Sequence, residues 1–382
     1  MKRQQTIFKS AAMLLATAFC FSALVGVGSA DTVKVKRNGE QITIEGEFLI
    51  KAQDESVLFE STDGQLHIFT ADEIVELKKA DDKLPPLDSK QLGESLLADL
   101  PDGFKILETE RYVIAYQTRS DFAKWIGDLY EKRLVKQFEK FANKGLKYKL
   151  DDPRFPMAIV VFGSRPEYDR YVLRELGTES GSMIAHYSQL TNRVAMYDLT
   201  FDLGTPGKKR TLKEVLAKPD AIPMVTTIIH EGTHQLMFNR GMQTRLGDVP
   251  LWLNEGMANW FETPDLRNGK GWRLPGKVNM ARMNQLKKYF QNRPSNSIET
   301  LISTDERFRS EGALDAYAES WALMHFLLKR QKVEFRKYLQ EVSRKSPGVP
   351  VDAETRLAEF TEHFGDLKEL DKRFLKYIKT LR

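Results

Sequence analysis

Ile228-Ile229-His230-Glu231-Gly232-Thr233-His234-Gln235-Leu236 is the stretch on which the reading of this chain turns. Two histidines four residues apart project from one face of a helix, where their rings can share a tetrahedral ion. Glu231 follows His230 directly, so it points beside such an ion, where a carboxylate can take a proton from an attacking water. Pro223 suits the first turn of this helix and Gly241 its end. With 6 histidines in 382 residues, His-Glu-x-x-His arises by chance on the order of once in a hundred such chains, so its surroundings decide.

A catalytic zinc keeps three protein ligands and one position for water, so a third ligand is required from elsewhere. Cys20 is the only cysteine, and it lies in an uncharged apolar run from Ala11 to Val27, behind the bulky Phe19 and so unlike a lipoprotein site. Lys2, Arg3 and Lys9 precede that run and Gly28-Ser29-Ala30 follow it, the layout of a signal peptide over 1–30. The chain is therefore expected to be exported, to the periplasm or the outside. An uncleaved membrane anchor is the alternative, because the run approaches the roughly 20 residues that span a bilayer. Cleavage would leave no stable membrane span and no thiol, restricting metal ligands to His, Asp or Glu. It would also take the formal net charge from +5 to +2 by removing Lys2, Arg3 and Lys9. A balance so near neutrality speaks against a nucleic-acid partner.

Pro250-Leu251-Trp252-Leu253-Asn254-Glu255-Gly256-Met257-Ala258-Asn259-Trp260-Phe261-Glu262 follows the histidine motif. Together the two motifs resemble the gluzincin zinc metallopeptidases, peptidase-MA-like proteins, over about residues 100 to 345. They are also similar to an uncharacterised family of exported bacterial proteins. In gluzincins the glutamate of the second motif is the third zinc ligand, which the resemblance places on Glu255. A helix starting at Pro250, with Gly256 and Ala258 allowing close approach to the first, would deliver it. Glu262, two turns along the same face, reads either as a partner for a ligand histidine or as a solvated acid at a helix end.

Tyr317 opens the run Tyr317-Ala318-Glu319-Ser320-Trp321-Ala322-Leu323. The resemblance to aminopeptidase-like gluzincins implies that its phenol hydrogen-bonds the tetrahedral oxyanion, as a neutral donor can. Read as packing, it is one more aromatic on a stripe with Trp321 and Leu323. His325 on the same helix reads as a core histidine. In this superfamily a peptide adds to the edge strand of the sheet, and Asn192 to Asp198 is the candidate here. Aminopeptidases carry Gly-Ala-Met-Glu-Asn there, whose glutamate binds the free amino end. This chain has Val194-Ala195-Met196-Tyr197-Asp198, which favours an endopeptidase.

Further out, period-two apolar spacing from Thr32 to Lys79, cut by Asn38-Gly39 and Asp63-Gly64, predicts hairpins in a small, strongly bent β-barrel of about five strands over 31–80, which resembles small SH3-like modules and would equally suit a packing appendage. Residues 81–100 read as a charged, Pro-containing linker. Strand patterns at 105–118 and 157–162 and a hairpin around Leu190-Thr191-Asn192 alternate with helical patterns at 120–145 and 166–176. Beyond Pro223 every pattern is helical, including Met280 to Phe290, Ala313 to Arg330 and Val333 to Val342. This order predicts an α+β fold with a helical extension over 346–382, and the resemblance to gluzincins implies that 101–345 is a thermolysin- or aminopeptidase-like zincin domain. The function implied is zinc-dependent (Zn2+) peptide hydrolysis with Glu231 as general base and Tyr317 at the oxyanion. Two rivals stand beside it: a catalytically silent zinc-holding scaffold whose N-terminal β module binds a partner, and hydrolysis of a non-peptide amide such as a cell-wall bond.

Overall fold

The computed structural model describes residues 30–37, 39–81, 85–198, 200, 211–262 and 275–381. The expected signal peptide lies outside the described residues except for Ala30, as do Asn38 and Leu199 of the expected hairpins. The chain groups into two compact units, one holding the described residues up to Glu131 with Pro153–Val215, the other Lys132–Asp152 with Leu216–Arg382.

In the first unit, β1 (Asp31–Arg37), β2 (Glu40–Lys51), β3 (Val57–Ser61), β4 (Leu66–Phe69) and β5 (Ile74–Lys78) form an antiparallel sheet in the order β4-β3-β2-β1-β5. One face buries Val33, Val35, Val57, Phe59 and Phe69, and Ile42, Ile44 and Phe48 pack against them. Register shifts at Phe48/Ile50 and Lys34/Val35 bend the sheet. Gly46 stands where a side-chain carbon would lie 2.0 Å from the Glu60 carbonyl oxygen, so only glycine fits that crossing. The five strands are those expected, but the barrel is not closed: β4 and β5 stand at opposite ends of the sheet, and no ladder joins them among the described residues.

Within the expected linker, Ser89–Asp99 forms a helix, α1. Asp88 accepts from the Gln91 amide and the Gln91 side chain answers to the Asp88 amide, a reciprocal cap, while Leu92 and Leu96 are buried. The double proline at 85–86 suggested a spacer, yet the cap lies immediately beyond it.

A second sheet has the order β6-β7-β8-β10-β9, from β6 (Lys105–Glu108), β7 (Tyr112–Tyr116), β8 (Met157–Phe162), β9 (Ala185–Tyr187) and β10 (Arg193–Tyr197). Its inner strands β7, β8 and β10 run parallel, and β6 and β9 are antiparallel edges. The uninterrupted apolar run of β8 is buried at every position, as a strand covered on both faces requires. Asn192, with φ of 56°, makes the β9–β10 turn, and its side-chain oxygen accepts from the Tyr187 hydroxyl at 2.9 Å. The first sheet is joined to the rest of its unit by the Leu66 amide on the Leu190 carbonyl at 2.7 Å. Arg154 adds ion pairs to Glu47 and Glu60. Helices α2 (Ser120–Leu129) and α3 (Arg165–Leu176) belong to the same unit.

Helical backbone continues from α2 to Leu146 with two π-helical stretches, Tyr130–Leu134 and Lys140–Leu146. It ends at Lys147 in the left-handed conformation, φ 55°, two residues past the expected Gly145.

The second unit is helical: α4 (Ala221–Asn239), α5 (Leu251–Phe261), α6 (Met280–Tyr289), α7 (Ser297–Ser303), α8 (Ala313–Arg330), α9 (Lys332–Val342), α10 (Ala353–Phe364) and α11 (Leu367–Ile378). Helix α8 is its centre, packed against α5, α6, α9 and α11, with Trp321, Leu323, Met324 and Leu327 fully buried. The molecule is thus α+β, an antiparallel five-stranded sheet followed by a mixed sheet and a helical C-terminal half. None of the helices in the described residues is long and apolar enough to cross a membrane.

Candidate metal centre

Helix α4 begins with Pro223 in its first turn, where no backbone donor is needed, and its apolar face (Val225, Ile228, Ile229, Leu236, Met237) is fully buried. It stops at Gly241, φ 72°, where a side-chain carbon would lie 2.0 Å from an Asp151 carboxylate oxygen. The burial of one face turns His230 and His234 toward α5.

Helix α5 is fixed at its start and along its side. The Leu251 amide donates to Asp305 Oδ1 at 3.0 Å, and Arg356 of α10 holds Asp305 and Asp248 together. Gly256 faces α8 so closely that a side-chain carbon there would lie 3.0 Å from the Ser320 carbonyl oxygen. These contacts set the depth at which Glu255 enters the site.

The imidazoles and the carboxylate converge. His230 Nε2 lies 2.9 Å from His234 Nε2 and 3.0 Å from Glu255 Oε2, while Glu255 Oε1 is 3.7 Å from His234 Nε2. One atom from each of the three residues falls within 4.8 Å of the other two, a set that could hold a metal ion. The far nitrogens are committed: His230 Nδ1 to Glu262 Oε1 at 2.7 Å, and His234 Nδ1 to Asn254 Oδ1 at 2.9 Å. Glu262 in turn accepts from Asn279 Nδ2 at 3.1 Å and from Arg282 at 3.2 Å.

The charges fit the same reading. Burial penalises ionisation of Glu255, but the imidazoles of His234 and His230 outweigh it and hold the carboxyl far below the usual range. Burial likewise opposes ionisation of Glu262, and its hydrogen bond from His230 and the Arg282 charge overcome it. His230, disfavoured as a cation by burial, is nevertheless raised well above its ordinary value by Glu255 and Glu262. The Glu255 carboxylate thus demands positive charge at the point where Nε2 of both rings meets it, while Glu262 supports that charge from the far edge of His230. A proton on His230 has one hydrogen for two acceptors there, whereas a divalent cation satisfies all three lone pairs at once. The residues present fit a metal ion.

Glu231, half-buried on α4, follows His230 as its position in the motif requires. Tyr317, at the start of α8, stacks edge-on against Phe308 at 5.2 Å, and its carbonyl accepts from Asn259 Nδ2 at 3.4 Å. The Glu255 charge, then burial, pushes its phenol well above the ordinary tyrosine value, and Glu231 and Glu262 add to the effect. The phenol is therefore held neutral, as a donor. Glu262 is buried as the partner of His230 and is not a solvated acid. His325 belongs to the core, accepting from the Tyr377 hydroxyl at 2.8 Å between Trp260 and Trp321.

The strand expected at the sheet edge is interior. Residues 193–197 pair with β8 on one side and β9 on the other, so the free edge on that side of the sheet is β9, Ala185–Tyr187. Its uniform burial explains the misreading: a run of Val, Ala and Met suits any inner strand.

Sequence reasoning missed Asn254, Asn279 and Arg282. Asn254 stood inside the quoted motif, and its adjacency to Glu255 was the available signal, although neighbours on a helix diverge by roughly 100°. Asn279 and Arg282 carried no local signal, because their target is set by the packing of α6.

A protein family of unknown function, DUF1570, matches residues 224–349, a stretch that takes in His230, Glu231, His234, Glu255, Glu262, Arg282 and Tyr317. No curated protein matches the chain.

Proposed function

We propose that this chain is a zinc-dependent peptidase that cleaves within polypeptides. The observation that carries the proposal is the convergence of His230 Nε2, His234 Nε2 and the Glu255 carboxylate, with the far side of each ring anchored by Glu262 or Asn254. Two imidazoles and one carboxylate make a donor set that suits catalytic zinc. When bound there, zinc supplies Lewis acidity, making a water acidic near neutral pH and polarising the scissile carbonyl. Glu231 accepts the proton of the attacking water and returns it to the leaving amine. Tyr317, neutral throughout, donates its hydroxyl hydrogen to the developing oxyanion. Glu262 and Asn254 keep both rings aimed while this occurs.

The resemblance of the two motifs to gluzincins supports the reaction class. The charge and apolar layout of the first 30 residues supports export.

Purified protein should carry stoichiometric zinc and digest casein or a peptide library. Glu231→Gln should retain the zinc and lose about 10²–10⁴-fold in rate. Zinc without cleavage in the native chain would assign the centre a structural role, and undiminished cleavage by Glu231→Gln would remove that residue from the chemistry.

A further inference from the structure

Arg282 is assigned no part in the reaction derived above, yet it touches both halves of the apparatus. Its Nη2 lies 3.2 Å from Glu262 Oε1, the same oxygen that receives His230 Nδ1 at 2.7 Å. Its guanidinium carbon stands 5.3 Å from the centre of the Tyr317 ring, over its face. One planar group therefore contacts the anchor of a metal ligand and the ring of the oxyanion donor.

The placement is built. Asn279, Arg282 and Gln285 recur every three residues and share a face of α6. The Asn279 side chain caps α6 by accepting from the Arg282 amide at 3.2 Å and donates to Glu262 at the carbonyl and the carboxylate. Gln285 Nε2 donates to Asp315 Oδ1 at 2.7 Å, two residues before Tyr317. Three successive contacts thus fasten α6 to the end of α5 and the start of α8, with Arg282 in the middle. Met283 and Leu286 are buried beneath.

We infer that Arg282 is a positioning residue that couples metal retention to oxyanion stabilisation, holding Glu262 against His230 with one face of the fork and the Tyr317 ring with its plane. This rests on the peptidase reading for its second arm and only on the metal centre for its first. A lysine would keep the charge opposite Glu262 but lacks the flat surface that lies on the ring.

The test uses the full chain with Arg282→Gln, Arg282→Lys, Tyr317→Phe and the Gln/Phe double variant. Zinc affinity is measured by chelator competition, melting temperature without metal, and kcat and KM on a peptide substrate. Arg282→Gln should weaken zinc binding by about 10–100-fold and lower kcat with KM little changed. Arg282→Lys should restore zinc affinity but not kcat. In the Tyr317→Phe background, Arg282→Gln should cost no further kcat once zinc is saturating, because the two act as one unit. Unchanged zinc affinity and kcat in Arg282→Gln would overturn the inference. So would a lowered melting temperature with proportionate losses in kcat and KM, or multiplicative kcat losses in the double variant. A native chain that binds zinc but cleaves nothing overturns the peptidase reading alone, and the affinity of Arg282→Gln then still decides the first arm. A native chain that binds no zinc overturns both.

Discussion

Asn254 and Glu255 are neighbours on one helix and serve the same imidazole from opposite sides: Asn254 Oδ1 meets His234 Nδ1 at 2.9 Å, while Glu255 Oε1 stands 3.7 Å from His234 Nε2. Any rotation of α5 therefore moves the orienting group and the ligand together. Asn254→Ala should leave the fold intact, free the His234 ring to rotate, and weaken zinc binding by about 10–100-fold in chelator competition. Zinc affinity equal to that of the native chain would show that the amide does not orient the ring.

Gly256 lets α5 lie against α8. In Gly256→Val a branched side chain must enter where the first carbon already meets the Ser320 carbonyl oxygen at 3.0 Å. Urea unfolding should show a loss of about 1–3 kcal/mol, and zinc affinity should fall with it because Glu255 is displaced. A stability loss without a change in zinc affinity would mean that α5 shifts as a rigid piece together with α4.

Glu319 is fully buried two residues beyond Tyr317 and accepts from Arg293, Arg307 and Ser297 at 2.7, 2.8 and 2.6 Å. Glu319→Ala removes the acceptor shared by two half-buried cations and should cost about 3 kcal/mol, read by chemical denaturation. In Arg293→Ala, Glu319 still receives Arg307 and Ser297, so that variant should cost less.

His325 gives a pH signature away from the candidate metal centre. Burial, then the Lys329 charge, pushes its pKa down to about 4 from 6.5, against a smaller opposing contribution from the Gly276 backbone. The folded state thus prefers the neutral ring, while the unfolded chain takes up a proton once the pH falls below the ordinary value. Stability should be unaffected by this group above about pH 6.5 and decline as the pH drops from there toward 4, levelling below. Metal-free His325→Gln should flatten that part of the melting profile; an unchanged slope would place the pH dependence elsewhere.

The local parts of this architecture were readable because their signals are local. Two histidines four apart, a proline in the first turn and a glycine at the end identify α4, and the apolar periodicity of Ala313–Arg330 identifies α8 at its exact bounds. The residues of the centre were likewise quoted in two short motifs. Pairing between distant segments was not readable. Nothing in Val194-Ala195-Met196 says whether a further strand lies outside it, and nothing in the first five strands says whether β4 meets β5. Helix α1 was hidden because the two prolines before it read as a spacer, although Asp88 and Gln91 carry the capping signature. Arg282 was beyond reach because its partners are 20 and 35 residues further along or behind, on helices whose packing no single segment encodes.

The Arg356 guanidinium reaches from α10 to Asp305, which holds the first amide of the Glu255 helix. The expected C-terminal extension, 346–382, is therefore part of what seats Glu255 in the candidate metal centre. Expression fragments trimmed to end near residue 345 would retain every donor atom yet lose the clasp on α5, so a minimal fragment that keeps Glu255 seated must run at least through α10.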